Sequence, residues 1–314
     1  MKFICNKKDL ISSVSSAQRA VAVRSVNPSL EGMFLKTSDG KVEIYGYDME
    51  MGVKTFVNAD IINEGSIILN ARVFSDIVRN LPDNEVTVDV DENFMTTIKS
   101  GMSLFSIMGL DPVEYPSLPY LKDADTISVE QSILKNMIKQ TIFAVSTNES
   151  KPVYTGCMFE LLEDKFKLVS VDGCRMAIRE EKIVFDKFKK NKFIVPSKTL
   201  NEISRLIDDD SNDIKISFDK KYVTFEIGNY FVISRLIEGQ FLDYNAAIPK
   251  EFNTQVIVSV SNLVESIERV SLLINDKVKF PIRCLFENNQ IKISCMTAVG
   301  KANDLVNADI KGSN

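Results

Sequence analysis

Cys174 stands beside Arg175, and a thiol next to a guanidinium is the arrangement that lowers a thiol's pKa and makes a thiolate nucleophile. Such a nucleophile still needs a base to shuttle its proton, and the chain has no histidine, the commonest general base and the commonest transition-metal ligand. Its five cysteines, Cys5, Cys157, Cys174, Cys284 and Cys295, are odd in number and include no C-x-x-C pair. They suggest neither a disulfide framework nor a zinc site, and five buried, reduced thiols are expected. Asp48 and Asp172 could form a carboxylate pair, but they fall at equivalent points of an internal repeat, where a shared turn or capping role is the simpler expectation. These residues lead to an expectation of no catalytic residue, no metal ligand, no cofactor and no enzyme activity.

The remaining chemistry is electrostatic. The whole chain carries a net charge of −5, yet its expected helices do not share it. Residues 7–24 sum to +3, residues 71–81, 129–145 and 197–207 to +1 each, and residues 260–274 to −1. Basic helices on an acidic body suit a surface that faces phosphates. Scattered single charges hold a backbone rather than read bases, and no zinc finger, basic zipper or aromatic RNA-binding strand is present, so any binding is expected to ignore sequence. The same lysines and arginines could also do no more than solvate helix faces.

The elements that position these charges recur along the chain. Leu10, Val14, Ala17 and Val21 have the spacing of an amphipathic helix; Leu134, Ile138, Thr141 and Val145 repeat it, as do Leu263, Ile267, Val270 and Ile274. Short strand-like runs follow each, and the pairs Leu10 and Leu134, Gly32 and Gly156, Asp48 and Asp172 all stand 124 residues apart. A second unit sits inside each of the first two repeats. Ile67-Ile68-Leu69 precedes a helix with Phe74, Ile77, Val78 and Leu81 inward, and Phe193-Ile194-Val195, 126 residues later, precedes one with Leu200, Ile203, Leu206 and Ile207. The chain thus reads as five copies of a strand, helix, strands half-domain. Its fold class is α+β, with helices on antiparallel sheets, and a length of 314 residues fits two or three such domains. A hydrophobic content of 45% without a membrane-length apolar run, and a start that lacks a secretory signal, lead to an expected cytoplasmic location.

Several motifs, in order, resemble the bacterial sliding clamp, the β subunit of a replicative DNA polymerase. They are Met1-Lys2-Phe3, Gly46-Tyr47-Asp48-Met49-Glu50-Met51, the run from Ala71 to Pro82, Val171-Asp172-Gly173-Cys174-Arg175-Met176-Ala177, Val195-Pro196-Ser197-Lys198 and Gly239-Gln240-Phe241-Leu242-Asp243-Tyr244. The resemblance implies a head-to-tail homodimeric ring of repeated clamp domains, helices inside around duplex DNA and sheets outside. It implies domains at residues 1–122 and 123–252, with the first half of a third at 253–314. Positions matching the family's DNA-facing residues are Arg24, Arg72, Asn148 and Lys198. Those matching its pocket for short linear peptides of polymerase, clamp loader and repair proteins are Tyr154, Val171, Gly173, Cys174, Arg175, Met176, Leu242, Ala246 and Ala247. Phe105 and Ile107, with Leu272 and Leu273, match its subunit interface.

Departures from the family pattern fall in the pocket. Val171 and Cys174 stand where the family usually has Thr and His, Leu242 replaces a Pro, and Ala246 replaces a basic residue, all of which keep the site apolar. Asn314 falls about halfway through the family's third domain, which implies an incomplete C-terminus, and a homodimer is expected where that domain is complete. The resemblance therefore leaves two functional readings. One is a processivity clamp that encircles DNA; the other is a clamp-like module that captures partner peptides without closing a ring. No membrane partner is expected from either.

Overall fold

A computed structural model of the chain describes every residue except 83, 184–189, 209–211, 275–279 and 313–314. Two compact units result, Met1–Phe241 and Leu242–Asn314.

The first unit holds four half-domains in sequence. The first comprises β1 (Lys2–Asn6), α1 (Lys7–Gln18), β2 (Gly32–Ser38), β3 (Lys41–Tyr47) and β4 (Met51–Asn63); the second comprises β5 (Gly65–Asn70), α2 (Ala71–Asn80), β6 (Glu85–Val90), β7 (Met95–Ser100) and β8 (Ser103–Met108). The third repeats the plan with β9 (Asp125–Glu130), α3 (Gln131–Lys139), β10 (Gly156–Leu161), β11 (Lys165–Val171) and β12 (Met176–Lys182). The fourth has β13 (Asn191–Pro196), α4 (Ser197–Leu206), β14 (Asp213–Phe218), β15 (Tyr222–Ile227) and β16 (Tyr230–Arg235). In the second unit a short helix α5 (Tyr244–Ala247) precedes β17 (Thr254–Val258), α6 (Val260–Ser271), β18 (Arg283–Glu287), β19 (Gln290–Met296) and β20 (Lys301–Gly312). The expected α+β plan of helices on antiparallel sheets is thus present in all five copies.

Half-domains pair by exchanging strands. In the first pair β1 bonds β6 and β2 bonds β5, both antiparallel. In the second, β9 bonds β14 and β10 bonds β13 in the same way. The first strand of one half therefore lies beside the second strand of the other, and the reverse, a two-fold pattern. Helices α1 and α2 pack across this seam, as do α3 and α4. Beneath them lie Leu10, Val14, Phe74 and Val78 in one core and Leu134, Ile138, Leu200 and Ile203 in the other, all 0 or 1% exposed. Each such side chain contributes about 1.5–3 kcal/mol on burial. The two pairs are joined by a continuous sheet, because β4 bonds β3 on one edge and on the other takes β16, from Thr55↔Tyr230 to Met51↔Ser234.

Local signals start these helices where the apolar spacing puts them. Asn70 caps α2 by accepting a hydrogen bond from Val73 N–H at 3.0 Å, and Asn6 caps α1 through Lys8 N–H at 2.8 Å. Their ends differ from the expectation. α1 stops at Gln18, because Ala22 N–H turns to the carbonyl of Leu30, and residues 19–24 leave the helix. α3 stops at Lys139, since the Thr141 hydroxyl donates to the carbonyl of Met137 at 2.8 Å, and Ile142–Ala144 form a 3-10 turn instead of more α-helix. α6 likewise ends at Ser271, short of Ile274.

Candidate functional site

Two candidate surfaces can be built from the first unit. Arg72 and Lys198 are each the second residue of their helix, α2 and α4, so the half-domain repeat gives them equivalent places. Arg72 is free to reach a phosphate, with 89% of its side chain exposed and, among the described residues, a single ion-pair partner, Asp76, one turn on at 4.0 Å. Lys198 is different, because its ammonium is held by the Asp48 carboxylate of the turn between β3 and β4. Arg24 is exposed in the loop after α1, not on the helix that the charge count assigned it. Asn148 lies in an exposed loop, where its side-chain oxygen accepts from Ser150 N–H at 3.0 Å and so shapes that loop. Arg79, counted in the charge of residues 71–81 but not among the DNA-facing positions, is on the exposed side of α2 and donates to Gln18 of α1 at 3.0 Å.

The second surface surrounds the turn between β11 and β12. Asp172 accepts from the N–H groups of Cys174 at 3.0 Å and Arg175 at 3.1 Å, while Gly173 takes a φ of 91°, the left-handed region that glycine enters without cost. Asp48 does the same 124 residues earlier, accepting from Glu50 at 3.0 Å and Met51 at 2.7 Å. The two aspartates are turn caps, as their repeat positions implied. Asp172 also takes the Arg175 guanidinium at 2.7 Å, and the N–H of Cys174, followed by this guanidinium, holds its carboxyl below the usual range.

Arg175 is therefore committed to Asp172, and its guanidinium lies 5.8 Å from the ring centre of the exposed Phe143. Val171 is buried at the end of β11 and pairs with Met176, which is half-buried at the start of β12. Tyr154 packs edge-on against Phe241 at 5.6 Å. Sequence reading named neither Phe241 nor Phe143 as site residues, although Phe241 sits in a quoted motif. Leu242, Ala246 and Ala247 belong to the second unit, where Leu242 is exposed and the two alanines lie exposed in α5.

Of the proposed subunit-contact residues, Phe105 is exposed on the edge strand β8, while Ile107 packs against the first core. Leu272 is 83% exposed just past α6, and Leu273 is half-buried. Among the described residues no group of three or more Cys, Asp or Glu could hold a metal ion, and no helix is long and apolar enough to cross a membrane.

Half-domains of one strand, a helix and further strands, paired by reciprocal strand exchange and joined edge to edge, define a DNA-clamp fold. The family model for the N-terminal domain of the DNA polymerase III beta subunit matches residues 1–119, and that for its central domain matches residues 128–243. The beta sliding clamp of Bacillus subtilis is 32% identical over 306 residues, covering 95% of this chain and 79% of the relative. That of Halalkalibacterium halodurans is 34% identical over 283 residues, covering 87% and 74%. Among solved structures, a putative DNA polymerase III beta subunit from Eubacterium rectale superposes with a TM-score of 0.94 at 32% identity, over 100% of this chain and 85% of the other. A sliding clamp from Bartonella birtlesii solved with bound griselimycin gives 0.92 at 27%, over 100% and 85%. The chain belongs to the DNA polymerase III beta subunit family, the bacterial sliding clamps of DNA replication.

Proposed function

We propose that two copies of this chain close head to tail around duplex DNA, without reading its sequence, and tether a replicative polymerase as a processivity factor. The chain would act in the cytoplasm, with domains at residues 1–122, 123–252 and from 253 onward, and would carry out no catalysis itself. The observation that carries the ring is the β4–β16 joint. β8 stands one repeat before β16, and β20 stands two repeats after β4. The stretch 301–304 of β20 corresponds to residues 52–55, and its edge opposite β19 is open among the described residues, as is the outer edge of β8. Pairing β8 of one copy with β20 of another would repeat the joint already made inside the chain. Phe105 would take the place of Val232, beside the exposed Leu104 and Leu305.

A ring holds DNA by topology, so weak contacts from Arg24, Arg72, Asn148 and Lys198 suffice and leave it free to slide. The test is retention on circular duplex after loading by a bacterial clamp loader with ATP. A ring stays on the nicked circle through gel filtration and leaves once the DNA is linearised. Loss from both forms would overturn it.

Partner peptides of polymerase, loader and repair proteins would dock at Tyr154, Val171, Gly173, Cys174, Arg175 and Met176 of the first unit; Leu242, Ala246 and Ala247 of the second unit are the further positions that the resemblance assigns to peptide binding. The exposed Phe143 and the Tyr154–Phe241 pair support an apolar ligand here. Met176→Glu should abolish capture of a fluorescent apolar peptide; unchanged capture would remove the assignment. A chain that binds this peptide but washes off circular DNA would instead be a peptide-capturing module that closes no ring.

A further inference from the structure

A polar cleft of about 490 Å³ opens within the first unit, at the seam where β16 bonds β4. Its walls come from α1, β4, the turn between β15 and β16, the first residue of α3 and the chain just past α4. Three of the polar side chains that line it are almost wholly buried: Ser13 of α1 is 4% exposed, Thr55 of β4 1% and Gln131 of α3 5%. None of these side chains has a hydrogen-bond partner among the described residues, and the little surface that each keeps lies on the cleft. Buried polar groups in folded proteins are nearly always paired, so three of them around one cleft point to something that fills it and bonds to them.

The rest of the lining states the chemistry of that occupant. Asp9, in the first turn of α1, and Asp208, just past α4, are exposed carboxylates that form no ion pair among the described residues. No lysine or arginine is among the described residues of the lining, so the cleft itself carries two uncompensated negative charges. The Ser13 and Thr55 hydroxyls and the Gln131 amide oxygen can all accept hydrogen bonds. Val57 and Ile227 add apolar surface, and the Tyr230 ring is fixed at the rim by a 2.9 Å hydrogen bond between its hydroxyl and that of Ser12. An anion would be repelled here, and water or an uncharged polyol would leave both carboxylates unanswered. A chain of methylenes with ammonium groups along it meets every feature: its cations face the carboxylates, its N–H groups reach the buried acceptors, and its stem lies on the apolar wall.

We propose that this cleft binds one linear polyamine per chain, held by Asp9 and Asp208 and donating to Ser13, Thr55 and Gln131. Neither the ring nor the peptide positions enter this reading. Isothermal titration calorimetry of the full chain with spermidine, without DNA and at physiological ionic strength, should show saturable binding of one equivalent. Asp9→Asn combined with Asp208→Asn should weaken it about tenfold, the worth of two exposed ion pairs. Asp39→Asn combined with Glu92→Gln removes the same charge from exposed positions outside the cleft and should leave the affinity unchanged. Thr55→Val keeps the shape of the side chain and should weaken binding about fivefold through the loss of one charge-assisted hydrogen bond, with Thr55→Ser restoring it. Urea unfolding without spermidine checks that each variant folds. Binding without a limiting stoichiometry, equal weakening by the two double variants, sorbitol bound as tightly as spermidine, or wild-type affinity in a folded Thr55→Val would overturn the proposal.

Discussion

The Lys198 ammonium of α4 is held by the Asp48 carboxylate, 150 residues away in the chain, so a proposed DNA contact of the second repeat is neutralised by a turn of the first. Asp48 keeps its turn with one oxygen, through Glu50 and Met51, and holds Lys198 with the other. Asp48→Asn should therefore preserve the turn and release the lysine. Binding to unrelated duplex should tighten, with the log–log salt slope steeper by about 0.9, the share of one phosphate contact. Lys198→Ala alone should change the slope little, and adding it to Asp48→Asn should cancel the gain. Fluorescence anisotropy over a salt series would decide, and a slope unchanged by Asp48→Asn would mean that Lys198 does not face DNA.

Arg72 makes the contrasting case. Its ion-pair partner among the described residues is Asp76 at 4.0 Å, and a pair this exposed is worth little. Arg72→Ala should leave stability within about 0.5 kcal/mol, as for most surface substitutions, while making the salt slope shallower by about 0.9 on any duplex sequence. The same titration measures it, alongside urea unfolding.

Much of this was legible in the sequence, for physical reasons that particular residues display. Helices α1 to α4 and α6 follow from apolar spacing, since Leu10 and Val14 or Leu200 and Ile203 must share a face to be buried. The turn role of Asp48 and Asp172 was legible because an Asx turn is made within four residues. Where α1 ends was not, because the bond that turns the chain away runs from Ala22 to Leu30. Nor were the pairs that bind the two repeats together. Lys198 with Asp48, and Arg19 with the buried Glu202 at 3.1 Å, join residues far apart in the chain that look like ordinary surface charges in sequence. Arg175 was read beside Cys174, its chain neighbour, whereas its guanidinium turns to Asp172.

Gly46 of β3 lies close against helix α1 in the first repeat. A Cβ there would lie 2.2 Å from the Ala17 carbonyl oxygen and 2.8 Å from a Val21 methyl. The first obstacle is backbone and cannot rotate away, so α1 itself must shift. Gly46→Ala should cost about 1–3 kcal/mol, the range for overpacking a filled core. The first urea transition of the variant should move accordingly; a midpoint equal to wild type would show that α1 docks more loosely than these distances state.

The thiols divide by burial. Burial pushes Cys5 up to about 12, with Asp9 adding to the effect, and pushes Cys157 up to about 11, while Cys295 is closed in the core of the second unit. Cys174, in the turn between β11 and β12, and Cys284, on β18, are exposed, which corrects the expectation that all five are buried. At low protein concentration a chromogenic disulfide at pH 8 should titrate two thiols quickly, and all five only in denaturant. Cys174→Ser should remove one fast equivalent. A third fast thiol in the native protein would mean that one of the cores opens on the assay's timescale.

Acid should loosen the β11–β12 hairpin before the sheets around it. The Glu180 carboxylate on β12 bridges Lys165 at 2.6 Å and Lys167 at 2.8 Å on β11, and these bonds hold its pKa down to about 2. Asp172, at the turn of the same hairpin, is depressed in the same sense by the Cys174 N–H. A carboxyl depressed in the folded state binds protons less readily than in the unfolded chain, so it stabilises the fold above the ordinary value of 4.5. That contribution declines as pH falls from there and is gone below about 2. Hydrogen exchange in residues 165–182, corrected for the intrinsic rate, should thus gain openings between pH 5 and pH 3, and Glu180→Gln should show the looser hairpin already at pH 5 with less further change. If the variant kept the wild-type pH dependence, Asp172 rather than Glu180 would be the group that carries it.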